Sequence, residues 1–225
     1  RRDGRDRHRP RAPRLEPTEI RRICNHETLS SMAPLPNDAP VGIYLHIPFC
    51  KQACHYCNFH FSTSLRQKDA MVTAILTELE LRRDYLNNAE ISSVYFGGGT
   101  PSLLDTKDLE RIFETIHRLY QVDAAAEITL EANPDDLSAE KLRDLRQYTP
   151  VNRLSIGIQS FSDADLRWMN RAHHAQHARQ CLDDAGHAGF HDLTIDLIYG
   201  APTTSDAQWQ ENLAIAFAYG IPHLS

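Results

Sequence analysis

The sequence predicts an α/β fold in which parallel strands alternate with helices. From Val41 onward, short apolar runs alternate with stretches whose apolar residues recur at helical spacing. Repeated units of this kind predict parallel strands joined by crossover helices. The 225 residues, 41% of them hydrophobic and 24% charged, suffice for one domain with a sizeable core. Periodicity alone allows either a barrel or an open doubly wound sheet.

Six short apolar runs predict the strands of that sheet, and the sixth run lies at the end of the chain. Helices are predicted between them, the first over residues 65–86 and another near residues 176–187. The predicted strands cover residues 41–46, 93–96, 127–131, 153–158, 193–199 and 221–225. The apolar stripes expected to face the core are Val72, Ile75, Leu76 and Leu79; Leu109, Ile112, Phe113 and Ile116; Leu142 and Leu145; and Trp209, Leu213 and Phe217.

Three serines mark expected helix starts. Ser138 precedes the Leu142 stripe and is a predicted N-cap. Ser162 and Asp165 have capping-box spacing, and Ser205 and Gln208 repeat it. These signals place the boundaries of the last three helical regions.

The N-terminal segment, residues 1–40, differs from the rest in composition. Residues 1–22 hold nine Arg against four carboxylates, a balance of +5 that leaves −11 for the remainder of a chain whose net charge is −6. A segment so poor in apolar side chains is predicted to be disordered, and its carboxylates argue against a mitochondrial transit peptide. Met32 suggests that residues 1–31 are a leader outside the native protein. The net negative charge of the remainder argues against binding to nucleic acid.

No apolar run approaches the length needed to span a bilayer, and no secretory signal is present. We therefore predict a cytoplasmic protein without a transmembrane segment.

Three cysteines, Cys50, Cys54 and Cys57, are the most informative chemical feature. Their C-x3-C-x2-C spacing supplies three thiolates from one loop, and a [4Fe–4S] cluster is held by cysteine thiolates. Three ligands on four irons leave one iron open to a small molecule. Cys24 and Cys181 stand alone and are interpreted as small apolar side chains or spare thiols.

Two structural interpretations compete with the cluster. A disulfide is disfavoured because the five cysteines show no regular framework and no secretory signal accompanies them. A zinc site is the stronger rival, since Cys54 and Cys57 have zinc-finger spacing. Against zinc, no second ligand pair follows along the chain. Side chains near enough in sequence to complete a tetrahedral zinc site are Cys50, His46, His55 and His60.

The cysteine motif resembles the signature of the radical S-adenosylmethionine (radical SAM) superfamily. Flanking segments are similar to one branch of it, which contains the oxygen-independent coproporphyrinogen III dehydrogenases and the HemW-type haem chaperones. The resemblance covers residues 41–225. Its segments are IYLHIPFC at 43–50, FGGGTP at 96–101, EANP at 131–134, IGIQSF at 156–161 and IDLIYG at 195–200.

The resemblance implies a partial (β/α)6 TIM-like radical SAM barrel. Most polar residues that it singles out fall at the carboxyl end of a predicted strand or in the loop after it, where barrel enzymes place their chemistry. Members of the family continue into a C-terminal domain, so residues 41–225 are expected to be a fragment of such a barrel protein.

The resemblance also implies which residues contact the cofactors. Cys50, Cys54 and Cys57 would hold the cluster. The Gly-rich segment, including Gly98, Gly99 and Thr100, would contact the amino group of SAM, and Arg171 its carboxylate. The remaining implied SAM contacts are Tyr44, Tyr56, Glu131, Gln159 and Asp196.

Each of these residues also has a structural interpretation. The glycines fit a tight βα turn, and their loop lacks the GK[ST] ending of a phosphate-binding P-loop. Glu131, Gln159 and Asp196 are polar groups within apolar strands, so burial requires a ligand or an internal hydrogen-bond network. Without the resemblance, Arg171 is interpreted as a surface arginine. His173 and His177 are interpreted as a solvated histidine-rich face.

Phe59 separates the two functions that the resemblance implies. The dehydrogenases carry a fourth cysteine at this position, and the haem chaperones do not. We therefore predict a radical SAM-type [4Fe–4S] protein that binds haem and delivers it to acceptor proteins, with a reductant for its cluster as a further partner. The first alternative is an oxygen-independent coproporphyrinogen III dehydrogenase, and the second is a zinc-stabilised binding module.

Overall fold

Six parallel strands form the sheet of residues 40–225, the part of the chain that the computed structural model describes. The strands follow one another across the sheet in chain order. All five neighbouring pairs are parallel. The strands are β1 (Val41–Ile47), β2 (Ile91–Gly98), β3 (Val122–Ala132), β4 (Arg153–Gln159), β5 (Asp192–Leu197) and β6 (His223–Leu224).

This strand order distinguishes a barrel from a doubly wound sheet. A doubly wound sheet reverses its order at a switch point, which places helices on both faces. Here the strands keep their chain order across the sheet without a reversal. Since parallel crossovers are right-handed in nearly all proteins, such an order places every crossover helix on the same face, as in a barrel. Within residues 40–225, β1 and β6 are the unjoined edges. The predicted partial (β/α)6 barrel is therefore confirmed.

Six helices connect or follow the strands in the described part of the chain. In the second of these helices, the predicted apolar stripe is fully buried. The first helix buries Val72 and Leu79, and Ile75 and Leu76 pack beside them while remaining partly exposed. The helices are α1 (Lys68–Leu81), α2 (Thr106–Leu119), α3 (Ala139–Tyr148), α4 (Asp163–Trp168), α5 (Ala175–His187) and α6 (Asp206–Ala218).

Two of the predicted N-caps are confirmed. Ser138 Oγ accepts from Lys141 N at the start of α3, and Ser205 Oγ accepts from Gln208 N at the start of α6, both at 3.2 Å. Each bond satisfies one of the amide groups that a helix start leaves unpaired.

The predicted capping box at Ser162 and Asp165 is wrong. Ser162 precedes α4 but makes no side-chain cap. Asp165 is instead completely buried and accepts from Ser160 Oγ at 2.8 Å and Thr203 Oγ1 at 2.6 Å. The Asp165 carboxylate thus joins two loops. A buried carboxylate is costly unless it accepts hydrogen bonds, and Ser160 and Thr203 supply them.

The predicted buried stripe of α6 is wrong at Phe217, which is 68% exposed. Asn212 and Ala216 are the buried residues of this helix, and Trp209 and Leu213 pack beside the core. At about 100° per residue, position 217 lies about 140° around the helix from Asn212 and therefore points away from the inward face. On that face, the side-chain oxygen Oδ1 of Asn212 accepts from Phe161 N at 2.9 Å.

The other differences concern element ends. The helix predicted over residues 65–86 consists of a 3₁₀ turn, Leu65–Gln67, followed by α1, with turns beyond Leu81. The helix ends at Leu81 with Arg82 as its C-cap, and the turns that follow close at Asn87 and Asn88, which have φ of 50° and 60°.

The site elements follow from this framework. Short 3₁₀ turns, Pro101–Leu103 and Pro134–Asp136, begin just after the carboxyl ends of β2 and β3. The loop with the three cysteines follows β1 at the same end of the sheet. No helix within residues 40–225 combines the length and apolar character needed to cross a bilayer. The predicted disordered arm and leader lie outside the described residues, except for Pro40.

Candidate metal and cofactor site

One cavity at the carboxyl end of the strands collects every predicted site residue. Its volume is about 580 Å³, within the range of about 300–1,000 Å³ that small-molecule sites occupy. The walls come from the cysteine loop after β1 and from the ends of the next four strands. The predicted residues lining it are Tyr44, Cys50, Cys54, Tyr56, Cys57, Gly98, Gly99, Thr100, Glu131, Gln159, Arg171 and Asp196.

The three cysteines of the loop are free thiols and partly buried. Cys57 N donates to Cys54 O at 3.2 Å, which closes a tight turn between the second and third thiols. Cys50 N donates to Ser62 O at 3.0 Å, so the two ends of the loop are held side by side. All three cysteines therefore line the cavity from a loop whose backbone is held by hydrogen bonds.

One side of the cysteine loop is fastened to the turn after β3. Lys51 Nζ donates to Asp135 Oδ2 at 3.0 Å and forms an ion pair with Asp136. Asp136 is buried, and it also accepts from Ser102 Oγ at 3.0 Å. Lys51 could not be singled out from local sequence, because its partners lie more than eighty residues away.

The other side of the loop is fastened to the segment after α4. Gln52 and Asn170 are joined through their side chains. His55 N donates to Met169 O at 3.0 Å, and its ring Nδ1 donates to Trp168 O at 2.8 Å. His55, which the sequence offered as a zinc ligand, thus anchors the backbone through one ring nitrogen.

Two of the cysteine sulfurs receive hydrogen bonds. Thr100 Oγ1 donates to Cys50 Sγ, and Arg171 Nη1 donates to Cys54 Sγ, each at 3.5 Å. Burial raises the pKa of Cys50, while the bond from Thr100 acts in the opposite direction. Both donors favour a sulfur that carries negative charge.

Arg171 lies inside the cavity wall rather than on the surface, which corrects the interpretation made without the resemblance. Its Nη2 donates to Asn133 Oδ1 at 2.5 Å and to Gly157 O at 2.7 Å, and its Nη1 donates to Tyr56 OH at 3.2 Å. Its Nε is buried and has no hydrogen-bond partner among the described residues. A buried guanidinium N–H without an acceptor suits an anionic ligand group.

Glu131 has partners on both carboxylate oxygens. Oε1 accepts from Tyr95 OH at 2.7 Å, and Oε2 accepts from Gly98 N at 3.1 Å. Burial, together with the bond to Glu131, raises the pKa of Tyr95. The internal network that the sequence left as an alternative is therefore present, and it fixes the Gly-rich loop. A carboxylate has about four acceptor sites, so capacity for a ligand donor remains.

The Gly-rich loop needs its glycines for close approach to the cysteine loop. A Cβ on Gly99 would lie 2.6 Å from Phe49 O, and one on Gly98 would lie 2.7 Å from the ring of His46. Gly98 also has a φ of 115°, a conformation that side chains disfavour. These glycines are thus required by packing as well as by the turn.

Gln159 and Asp196 line the cavity from the ends of β4 and β5. Gln159 is buried and has a φ of 65°, in the left-handed region. Such strain in a residue other than glycine persists where the surroundings over-determine it, and it is common at functional sites. Burial is the main cause that raises the pKa of Asp196, with a further contribution from Glu131.

The two tyrosines lie at the rim of the cavity. Tyr44 is 60% exposed, hydrogen-bonds His46 Nδ1 at 3.1 Å and stacks on Tyr95 with ring centroids 6.0 Å apart. Tyr56 OH accepts from Arg171, and burial is the largest cause that raises the pKa of Tyr56. Both rings therefore make packing contacts and still face the cavity.

The predicted solvated histidine face is wrong for His173. Its side chain is 1% exposed, and Nε2 donates to Ile158 O at 3.1 Å. Burial lowers the pKa of His173 to about 4. The loop after α4 turns this side chain inward, whereas His177 lies exposed on α5.

The donor set differs from that of a single-metal site. Within the described residues, no three Cys, His, Asp or Glu side chains are arranged around one ion. A single zinc ion requires its sulfurs about 2.3 Å from one point, whereas each thiolate of a [4Fe–4S] cube binds a different iron. Three free thiols, two sulfur-directed donors and the unpartnered Nε of Arg171 fit a cluster and an anionic cofactor group side by side.

The sequence profile of the radical SAM superfamily matches residues 44–216. Among curated proteins, the heme chaperone HemW of Escherichia coli is 36% identical over 197 residues, which cover 86% of this chain and 51% of that protein. The mitochondrial radical S-adenosyl methionine domain-containing protein 1 of Danio rerio is 34% identical over 76% of this chain and 39% of its own. The chain spans about half the length of the HemW proteins that it matches.

Among solved structures, that of the radical SAM enzyme coproporphyrinogen III oxidase (HemN) from Escherichia coli is similar over 94% of this chain. The TM-score is 0.77 and the sequence identity is 26%, and the match covers 47% of that protein. The shared architecture agrees with the strand order described above.

Proposed function

This chain belongs to the radical SAM superfamily, and we propose that it is the core of a haem chaperone that binds haem and delivers it to acceptor proteins. Membership of the superfamily implies a [4Fe–4S] cluster and SAM. The haem function is supported by the similarity to several HemW chaperones, at 29–36% identity over most of the chain.

The observation that carries the cofactor proposal is the convergence of three free thiols with Arg171 on one cavity. Cys50, Cys54 and Cys57 would hold the cluster, leaving one iron without a protein ligand. When bound, such a cluster supplies an electron to SAM at that iron. The cavity walls would orient the cofactor and limit the access of water.

The remaining side chains supply contacts for SAM. Arg171 Nε is buried and free to donate to a carboxylate. The segment Gly98 to Thr100 brings backbone to the same wall of the cavity, where the glycines permit close approach to the methionine amino group. The other proposed contacts are Tyr44, Tyr56, Glu131, Gln159 and Asp196.

A coproporphyrinogen III dehydrogenase is the second candidate, favoured by the structural similarity to HemN. Phe59 argues against it, because it occupies the position of the fourth cysteine of those enzymes. Its side chain is 75% exposed at the cavity, so the difference lies where a large substrate approaches. The haem chaperones share this lack of a fourth cysteine.

Anaerobic reconstitution with iron and sulfide tests the cofactor proposal. We expect a brown protein with about four irons per chain, and loss of iron and colour when Cys50, Cys54 or Cys57 is changed to Ser. Cys181→Ser is the matched control, because Cys181 is buried in the core, away from the cavity. A colourless protein that retains zinc and takes up no sulfide would instead support a zinc-stabilised module.

The same preparation separates the two functions. A haem titration followed by transfer to an apo-haem protein should show stoichiometric binding and release. Incubation with coproporphyrinogen III, SAM and a reductant should yield no protoporphyrinogen IX. Product formation without haem binding would favour the dehydrogenase and contradict the chaperone proposal.

A further inference from the structure

A continuous chain of hydrogen bonds joins two of the cysteine sulfurs through Asn133. Arg171 donates to Cys54 Sγ through Nη1 and to Asn133 Oδ1 through Nη2. Asn133 Nδ2 donates to Thr100 Oγ1 at 3.1 Å, and Thr100 Oγ1 donates to Cys50 Sγ at 3.5 Å. Asn133 belongs to the EANP segment, but the sequence assigned it no role.

The direction of every bond in this chain is fixed. A guanidinium only donates, so the Asn133 atom facing Arg171 is the carbonyl oxygen and the atom facing Thr100 is the amide nitrogen. Thr100 Oγ1 has one proton and already accepts from Asn133. That proton is therefore available for Cys50, and rotation toward Asn133 is excluded by the amide hydrogens there.

We propose that Asn133 is a positioning residue that aims the Thr100 hydroxyl at Cys50 and thereby raises the reduction potential of the cluster. The inference rests on the proposed cluster site. Reduction adds negative charge to a cluster, and a hydrogen bond to a ligating sulfur stabilises that charge. Asn133 acts through Thr100 and needs no contact with the cluster itself.

The surroundings hold Asn133 in place for this role. It follows β3 directly in an extended conformation, with φ of −109° and ψ of 151°, and its N donates to Ser102 Oγ at 3.4 Å. A Cβ on Gly157 would lie 3.1 Å from Asn133 Oδ1, so the glycine leaves room for the carboxamide. Arg171 has further acceptors in Gly157 O and Tyr56 OH, so it keeps its position when Asn133 is replaced.

The test is the midpoint potential of the reconstituted cluster in a double-mutant cycle. Asn133→Leu, Thr100→Val and the double variant are titrated anaerobically and followed by electron paramagnetic resonance. Each single variant should lower the equilibrium constant for reduction about tenfold, a shift of about 59 mV for one electron. The double variant should shift no further than Thr100→Val alone, and Thr100→Ser should retain most of the original potential.

Asn152→Leu is the matched control. Asn152 bridges Ile128 N and Ala126 O at the opposite end of the strands, both at 2.8 Å, so its loss should lower stability and leave the potential unchanged. Asn133→Asp serves as a second variant of unchanged size if Asn133→Leu fails to fold. The extra negative charge of Asn133→Asp lowers the reduction potential by itself. The contribution of the Thr100 hydroxyl is therefore the part of the shift in potential that is lost when Asn133→Asp is combined with Thr100→Val.

The outcomes separate the two proposals. If the unchanged chain takes up no iron and sulfide, the cluster proposal fails and this inference fails with it. If the cluster assembles but the Asn133 and Thr100 variants do not change its midpoint potential, only the inference about Asn133 is overturned. The same holds if the double variant shifts the potential by the sum of the two single shifts.

Discussion

Gln52 Nε2 donates to Asn170 Oδ1 across 2.7 Å, which joins the cysteine loop to the segment that carries Arg171. Gln52 Nε2 also donates to Asn170 O at 3.0 Å, and Asn170 Nδ2 donates to Ala53 O at 2.8 Å. Asn170 has a φ of 56°, a conformation that asparagine tolerates better than most residues. The Asn170 side chain therefore links the cysteine loop to the segment that carries the Arg171 guanidinium.

Replacing Asn170 should separate this clamp from the backbone conformation beneath it. Asn170→Gly keeps the left-handed φ but removes the side-chain bonds, so the free energy of unfolding should fall by about 1–2 kcal/mol. Asn170→Ala should lose roughly 1 kcal/mol more, because alanine is strained at this φ. Urea denaturation measures both. Asn88→Ala, in an exposed turn with φ of 60°, gives the cost of the strain alone; equal losses for both Asn170 variants would contradict the expectation.

Gly99→Ala should displace the cysteine loop. The new Cβ would meet Phe49 O at 2.6 Å and Phe49 N at 2.9 Å, and backbone atoms cannot rotate away. We expect a loss of about 1–3 kcal/mol in stability and lower iron uptake on reconstitution. Gly186→Ala is the control, since no atom beyond its chain neighbours and its own helix backbone lies within 4 Å of its Cβ position. That helical substitution should leave iron uptake unchanged and raise stability by about 0.5–1 kcal/mol.

The fold and the composition of the site were predictable because they depend on local patterns. Apolar runs and helical stripes located the strands, and the cysteine spacing with its flanking segments identified the family. Parallel strands then bring their carboxyl ends to one edge, so residues as distant as Tyr44 and Asp196 were expected at the same place. The cavity does contain both.

The interactions that link loops were not predictable. Whether Asp165 caps its helix or is buried depends on Thr203, which approaches it only in the folded chain. His173 was placed on a solvated face because its spacing from His177 is helical, but α5 begins only at Ala175. Asn133 lay within a recognised segment, yet its role depends on two loops meeting at its side chain. The spacing of residues along the sequence carries no information about contacts between side chains of different loops.

Gln159 offers a test that separates ligand binding from stability. Gln159→Gly accommodates the φ of 65° without strain, so thermal unfolding should show unchanged or higher stability. The lost side chain should weaken SAM binding roughly five- to tenfold, equivalent to one net hydrogen bond of about 1–1.5 kcal/mol. Isothermal calorimetry on the reconstituted protein measures the affinity. Gln159→Ala should lose affinity equally without gaining stability; unchanged affinity in both variants would remove Gln159 from the proposed SAM contacts.

His173 should make the folded chain sensitive to mild acid. The pKa of His173 is lowered to about 4, chiefly by burial and then by Arg171. Among the smaller contributions, Asp135 raises this pKa and His177 lowers it. Between the unfolded value of about 6.5 and that folded value, the unfolded chain binds the extra proton, so stability falls as pH falls. The loss between pH 7 and pH 5 should be about 2 kcal/mol. In urea titrations, His173→Gln should show a correspondingly smaller loss, whereas His187→Gln, at an exposed site on α5, should follow the unchanged chain. Parallel pH profiles for all three proteins would show that His173 is not held neutral by burial.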